Sequence, residues 1–180
     1  MKISLEPTLI PYNKNKDSSL NVVYSSLNFS KSKIHTLSLR EGFDSNLLFL
    51  AATCIALTKF TNTSDIFINT KFTTDRESKH VSLHFAEKNR NITVYDYINK
   101  LSENISDSSQ DSLIQELHFN HVFNDYLEDE KHMSLMICEH SQLYSLKLKF
   151  DANKYTYSYI HSFSRSIKKI LNGTSQKLKE

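Results

Sequence analysis

Glycine and proline are scarce in this chain. Its 180 residues hold 2 of each, where average usage gives about 13 and about 9. The glycines, Gly42 and Gly173, stand too far apart for a Gly-rich phosphate loop, a dinucleotide fingerprint or a nucleophile elbow. Cysteine is equally rare. Cys54 and Cys138 form no C-x-x-C, and each lies in an apolar segment, as small core residues do in a reducing compartment. Neither sign of charge dominates. Lys and Arg number 22 against 20 Asp and Glu, a net +2, too even for a nucleic-acid or membrane-surface footprint. The longest mostly apolar run, Leu47 to Leu57, is too short to span a bilayer. Met1 to Pro7 has no apolar signal core. The expected location is the cytoplasm, without membrane or nucleic-acid partners.

What is present is enough apolar and aromatic material for a packed core, 39% and 11% of residues, on a length that suits one domain. Residues 1–21 are polar, hold both prolines and read as an extended arm or crossover segment. Val22 to Phe29 has strand composition. Ser30 can cap a helix over 31–41, with Gly42 as its left-handed stop; the rival reading takes Ile34, Thr36 and Ser38 as one face of a strand. Asp44 or Ser45 caps the next helix, Asn46 to Phe60, which is apolar nearly all round and therefore central to the core. Period-2 alternation marks strands at Asp65 to Lys71 and Val81 to Phe85. Thr93 and Asp96 resemble a capping box opening a helix with the stripe Val94, Ile98, Leu101 and Ile105. A short helical turn over 111–117 follows, then strands at 120–126, 133–139 and 143–150. A final amphipathic helix over 155–171 buries Ile160, Phe163, Ile167 and Leu171, with Lys168 and Lys169 in its last turn and Gly173 as its stop. This order implies an α/β fold: a two-layer sandwich in which helices pack on one mixed sheet.

The order, and certain residues on it, resemble the C-terminal lobe of condensation domains from non-ribosomal peptide synthetases, which share the chloramphenicol-acetyltransferase-like fold. The run from Leu47 to Thr70 is similar to the family's buried "LLAAFALLLHRYT" helix leading into a "DIVVGTPVAGR" strand. Leu146 to Leu171 look like its closing "L-x-L-x-Y-D" strand and terminal helix, and Leu9-Ile10-Pro11 like its "L-x-LP" crossover. The match is one of order and hydrophobic pattern. Asn69 stands where the family has the Gly of "VGTP" and Lys71 where it has the Pro, and "GFFVNTLPLR" has no clear counterpart. The resemblance implies an arm at 1–21, a condensation-type lobe at 22–173 and a polar tail at 174–180. It implies no catalytic residue, because the family's H-H-x-x-x-D-G motif lies in the other lobe and is missing here. The expected role is therefore a pairing or assembly module, or a truncated relic, not catalytic alone. Its expected partner is a separate N-terminal lobe or a peptidyl carrier protein. A lone lobe should also expose an apolar patch, which dimerisation would cover.

An alternative enzymatic reading rests on His121-Val122-Phe123-Asn124-Asp125, an H-x-x-x-D with Asn120 and Tyr126 where the motif has His and Gly. It would make the chain a small acyltransferase using His121 as general base on a coenzyme A or carrier-protein thioester. The remaining clusters point to bland roles. His80 and His84 on one strand would lie roughly 13 Å apart, and no third ligand is near, so no metal is expected. His118 reads as exposed. Cys138 and His140 share a strand face without an orienting acid. Glu128-Asp129-Glu130-Lys131 reads as a solvated turn. Tyr155, Tyr157 and Tyr159 read as packing and rim residues. No cofactor is implied.

Overall fold

The computed structural model of the chain describes residues 22–43, 45–62, 65–73, 78–86, 94–108, 116–118 and 134–176. The elements run β1 (Val22–Ser30), α1 (Lys31–Glu41), α2 (Ser45–Thr61), β2 (Asp65–Thr73), β3 (Ser78–Ala86), α3 (Val94–Ser108), β4 (Glu116–His118), β5 (Ser134–Glu139), β6 (Leu143–Asp151) and α4 (Tyr157–Gln176).

The helices and strands make the α/β sandwich that the element order implied. The described pairings divide the strands into two three-stranded sheets, β1-β6-β5 and β3-β2-β4. Every pairing is antiparallel, where the sequence order suggested one mixed sheet. Strand pattern tells which segments extend, not which partner each finds: β1 pairs in full register with β6 near the far end of the chain, from Val22↔Asp151 to Ser30↔Leu143.

Helix α2 is the centre of the core. Phe49, Leu50, Ala51, Cys54 and Ala56 are each 0% exposed. Its Thr53 and Thr58 hydroxyls donate to the carbonyls four residues back, Phe49 and Cys54, so the polar atoms bring no unmet hydrogen bond inside. Phe49 packs on the face of the paired β1 and β6 strands, its ring 5.3 Å from Phe29 on β1 and 5.4 Å from Tyr144 on β6. At the other end Phe60 meets Phe163 of α4 edge-on at 5.2 Å. Such edge-to-face pairs add to area burial.

Several expected ends are met and others shift. Gly42 does stop α1: its φ is 71° and its N–H donates to the Ser38 carbonyl. α2 stops at Asn62, also left-handed at φ 53°, a conformation Asn tolerates. Ser30 precedes α1 but makes no side-chain cap; its hydroxyl lies 2.9 Å from that of Ser32. Gly173 does not stop α4, which continues to Gln176, so Lys168 and Lys169 are not in its last turn. A mid-helix glycine costs about 1 kcal/mol against alanine, too little to end a helix anchored by Phe163, Ile167 and Leu171, all buried. The expected helical turn at 111–117 ends in β4 instead, which pairs Glu116–His118 with β2. Three residues are too few to show alternation. The strand expected at 120–126 lies outside the described residues.

The turn from β6 into α4 is organised by Asp151. Its carboxylate accepts from the Asn153 N–H at 2.9 Å. Its carbonyl accepts from Lys154 and Tyr155, each at 3.0 Å.

Candidate functional site

Period-2 alternation gives the β1-β6-β5 sheet two faces. One face carries Phe29, Tyr144, Leu146, Leu148, Phe150, Leu135 and Ile137, all buried beneath the helices. The register places Ser26, Asn28, Ser145, Lys147, Met136 and Cys138 on the other. No described element covers that second face.

At its hairpin end the open face forms a groove of about 460 Å³, lined by Ser26, Asn28, His140, Ser141, Gln142, Leu143, Ser145 and Lys147. The lining has one ammonium, one imidazole and no carboxylate. The hairpin is tied at several points. The His140 N–H donates to the Leu143 carbonyl at 2.8 Å, and the Lys31 N–H to the Gln142 carbonyl at 3.2 Å. The Lys31 ammonium pairs with the Glu139 carboxylate and reaches the His140 carbonyl at 3.5 Å. Its hydrogen bond to Glu139 holds the Lys31 ammonium above its ordinary pKa.

Inside the groove, His140 Nε2 lies 2.9 Å from Ser145 Oγ. Ser145 is only 5% exposed, shielded by its neighbours yet part of the groove wall. A histidine nitrogen at this distance from a serine hydroxyl is placed to accept its proton. The sequence reading joined His140 to Cys138. The structure gives His140 to Ser145 instead, and sets Cys138 opposite Ser145 across the β5–β6 pairing. Ser145 was missed. The signal for it lay in β6, where Ser145 alternates onto the same face as Lys147 just past the hairpin.

The other described candidates are placed by strand register. His80, Lys71 and His118 fall in one cross-strand row of the β3-β2-β4 sheet, and His84 sits opposite Phe67. Among the described residues no three metal-type ligands come together. Tyr155 is buried and stacks on Tyr159, ring centroids 6.3 Å apart, while Tyr157 is exposed: packing and rim positions, as expected. His121 and Glu128 to Lys131 lie outside the described residues. The exposed large apolar residues Tyr24, Leu39, Tyr95, Met136 and Tyr157 fall on five different elements, and the open sheet face is mostly polar. No helix among the described residues is long and apolar enough to cross a membrane.

No protein-family model matches the chain, and no curated protein matches it by sequence. Solved structures do match it. The epimerization domain from the third module of tyrocidine synthetase B superposes with a TM-score of 0.67 at 12% identity, covering 95% of this chain and 52% of that one. The cyclization-docking bidomain of EpoB from Sorangium cellulosum gives 0.70 at 10%, covering 94% and 45%. The X-domain from teicoplanin biosynthesis, solved in complex with OxyB, gives 0.70 at 10%, covering 97% and 50%. The fold is thus that of a condensation-type domain, as the sequence resemblance implied. The chain spans about half the length of the structures it matches.

Proposed function

We propose that this chain is a condensation-type C-terminal lobe of non-ribosomal peptide synthesis, occupying 22–173 between an arm at 1–21 and a tail at 174–180, and working in the cytoplasm. It does not perform the condensation step by itself. It acts by pairing with a lobe that carries H-H-x-x-x-D-G, or with a carrier protein. The observation that carries this reading is coverage: nearly all of the chain superposes on about half of each matching structure. The missing motif supports it, because the histidine that handles the proton of the attacking amine belongs to H-H-x-x-x-D-G, which these 180 residues do not contain. The X-domain's complex with OxyB supports partner binding as a use of this fold.

The test begins with the genes and transcript around the Met1 codon, searched for a lobe with H-H-x-x-x-D-G. Mixing that lobe with this chain should give a one-to-one complex by size-exclusion chromatography with light scattering, and amide formation that neither part gives alone. Failure to form any complex would overturn the pairing. Acyl transfer by this chain alone, abolished by His121→Ala with the fold intact, would replace the reading with the small acyltransferase.

A further inference from the structure

We propose that Ser145 is a nucleophile for activated acyl esters and that His140 is its base. The reading stands on the groove and not on the condensation-type fold. Three observations carry it. First, His140 Nε2 and Ser145 Oγ are already at 2.9 Å. With the ring proton on Nδ1, Nε2 accepts the hydroxyl hydrogen, which is the ground state of a serine about to be deprotonated. Second, the backbone that carries the base is fixed by the hairpin. Its own N–H is bound to the Leu143 carbonyl and its carbonyl takes the Lys31 ammonium, so the imidazole starts from a fixed backbone. Third, the groove supplies donors beside the nucleophile. Asn28 is directly opposite Ser145 in the register, where cross-strand Cβ atoms are about 4.5–5.5 Å apart. Lys147 is the next residue of β6 on the same face, and both line the groove. An amide N–H and an ammonium are the groups that stabilise an oxyanion.

The step balances within these groups. Ser145 Oγ bonds to the acyl carbonyl carbon as its proton passes to His140 Nε2. The carbonyl electron pair moves onto oxygen, facing Asn28 and Lys147. Collapse breaks the bond to the leaving alcohol or thiol, which takes the proton from His140. Ser145 is left acylated, and water or a second alcohol, deprotonated by the same imidazole, releases it.

The test uses the purified full chain and a fluorophosphonate probe, whose P–F bond an activated serine breaks with loss of fluoride. The label should map by mass spectrometry to Ser145 and vanish in Ser145→Ala. His140→Gln is the second variant. It keeps a hydrogen-bonding group near Ser145 but takes no proton, so labelling should slow by about 10²-fold or more, the usual share of a general base. The melting temperature should stay put, because His140 is exposed. A native chain that takes no label, a label on a different serine, or His140→Gln labelling as fast as the native chain would each overturn the proposal. None of those outcomes bears on the pairing reading, whose test reads complex formation.

Discussion

The two faces of the β1-β6-β5 sheet are built from the same three strands and meet opposite surroundings. On the inner face Leu146, Leu148 and Phe150 are each 0% exposed, and helices α2 and α4 close over them. On the outer face Lys147 and Met136 stand in solvent, and Ser145 is covered only by its neighbours and His140. The inner face holds the fold: its residues are interchangeable in chemistry as long as volume is kept. The outer face contributes little apolar burial, so its residue choices are free to serve something else. A serine, a histidine, an asparagine and a lysine around one groove are choices of that kind.

The largest effect should come from cutting into the inner face. Phe150→Ala removes a ring with no exposed atoms, which also meets Tyr157 at 5.3 Å. It should cost about 3–5 kcal/mol in urea unfolding. Lys147→Ala, three positions back on the outer face, should stay within about 0.5 kcal/mol. Equal costs for the two would break the comparison, because the outer face would then be packed against something.

A middling effect separates the two cysteines. Cys54 is 0% exposed in α2, and burial pushes its thiol up to about 12. Cys138 is half-buried on the outer face. A thiol reagent should titrate one cysteine in the native chain and two in urea. The sign of the pH dependence follows from linkage. A folded pKa raised above the unfolded value of 9.0 means that the stabilisation from the buried neutral thiol is complete below about pH 9. It is lost as pH rises toward about 12. Melting temperatures between those limits should fall less steeply for Cys54→Ala than for the native chain. Parallel curves would show that Cys54 ionises without leaving the core.

How legible all this was in the sequence depends on the range of the interaction. α1 ended at Gly42 as expected, because a left-handed stop is written in one residue. α2 was legible because a helix apolar on every side has nowhere to go but inside. β6 and the buried stripe of α4 were legible from their periods. Partner choice was not. Neither the β1–β6 pairing nor the split into two sheets has a local signature. Gly173 misled because a helix stop is a local preference of about 1 kcal/mol, and core anchoring outweighs it. The candidate site was the least legible part. Cys138 and His140 stood out as reactive types close in sequence, while Ser145 looked like one serine among many. Only the hairpin, which folds β6 back along β5, sets its hydroxyl against the imidazole.

The smallest effect lies at the rim where the two faces meet. Lys31 and Glu139 pair at the end of the sheet, with side chains 35% and 56% exposed. Solvent screens such a pair, and ordering two long side chains offsets most of the attraction. Lys31→Ala should therefore lower the melting temperature by no more than a few degrees. The difference from the native chain should shrink in 1 M salt, where the Debye length is about 3 Å. The more telling readout is local. The Lys31 side chain also reaches the His140 carbonyl, so its loss should speed hydrogen exchange at the His140 amide while leaving Leu146 and Leu148 protected. Faster exchange at all of these positions would mean that the hairpin opens together with the core. In that case the outer face would not be a separable surface, and the groove would rise and fall with the fold itself.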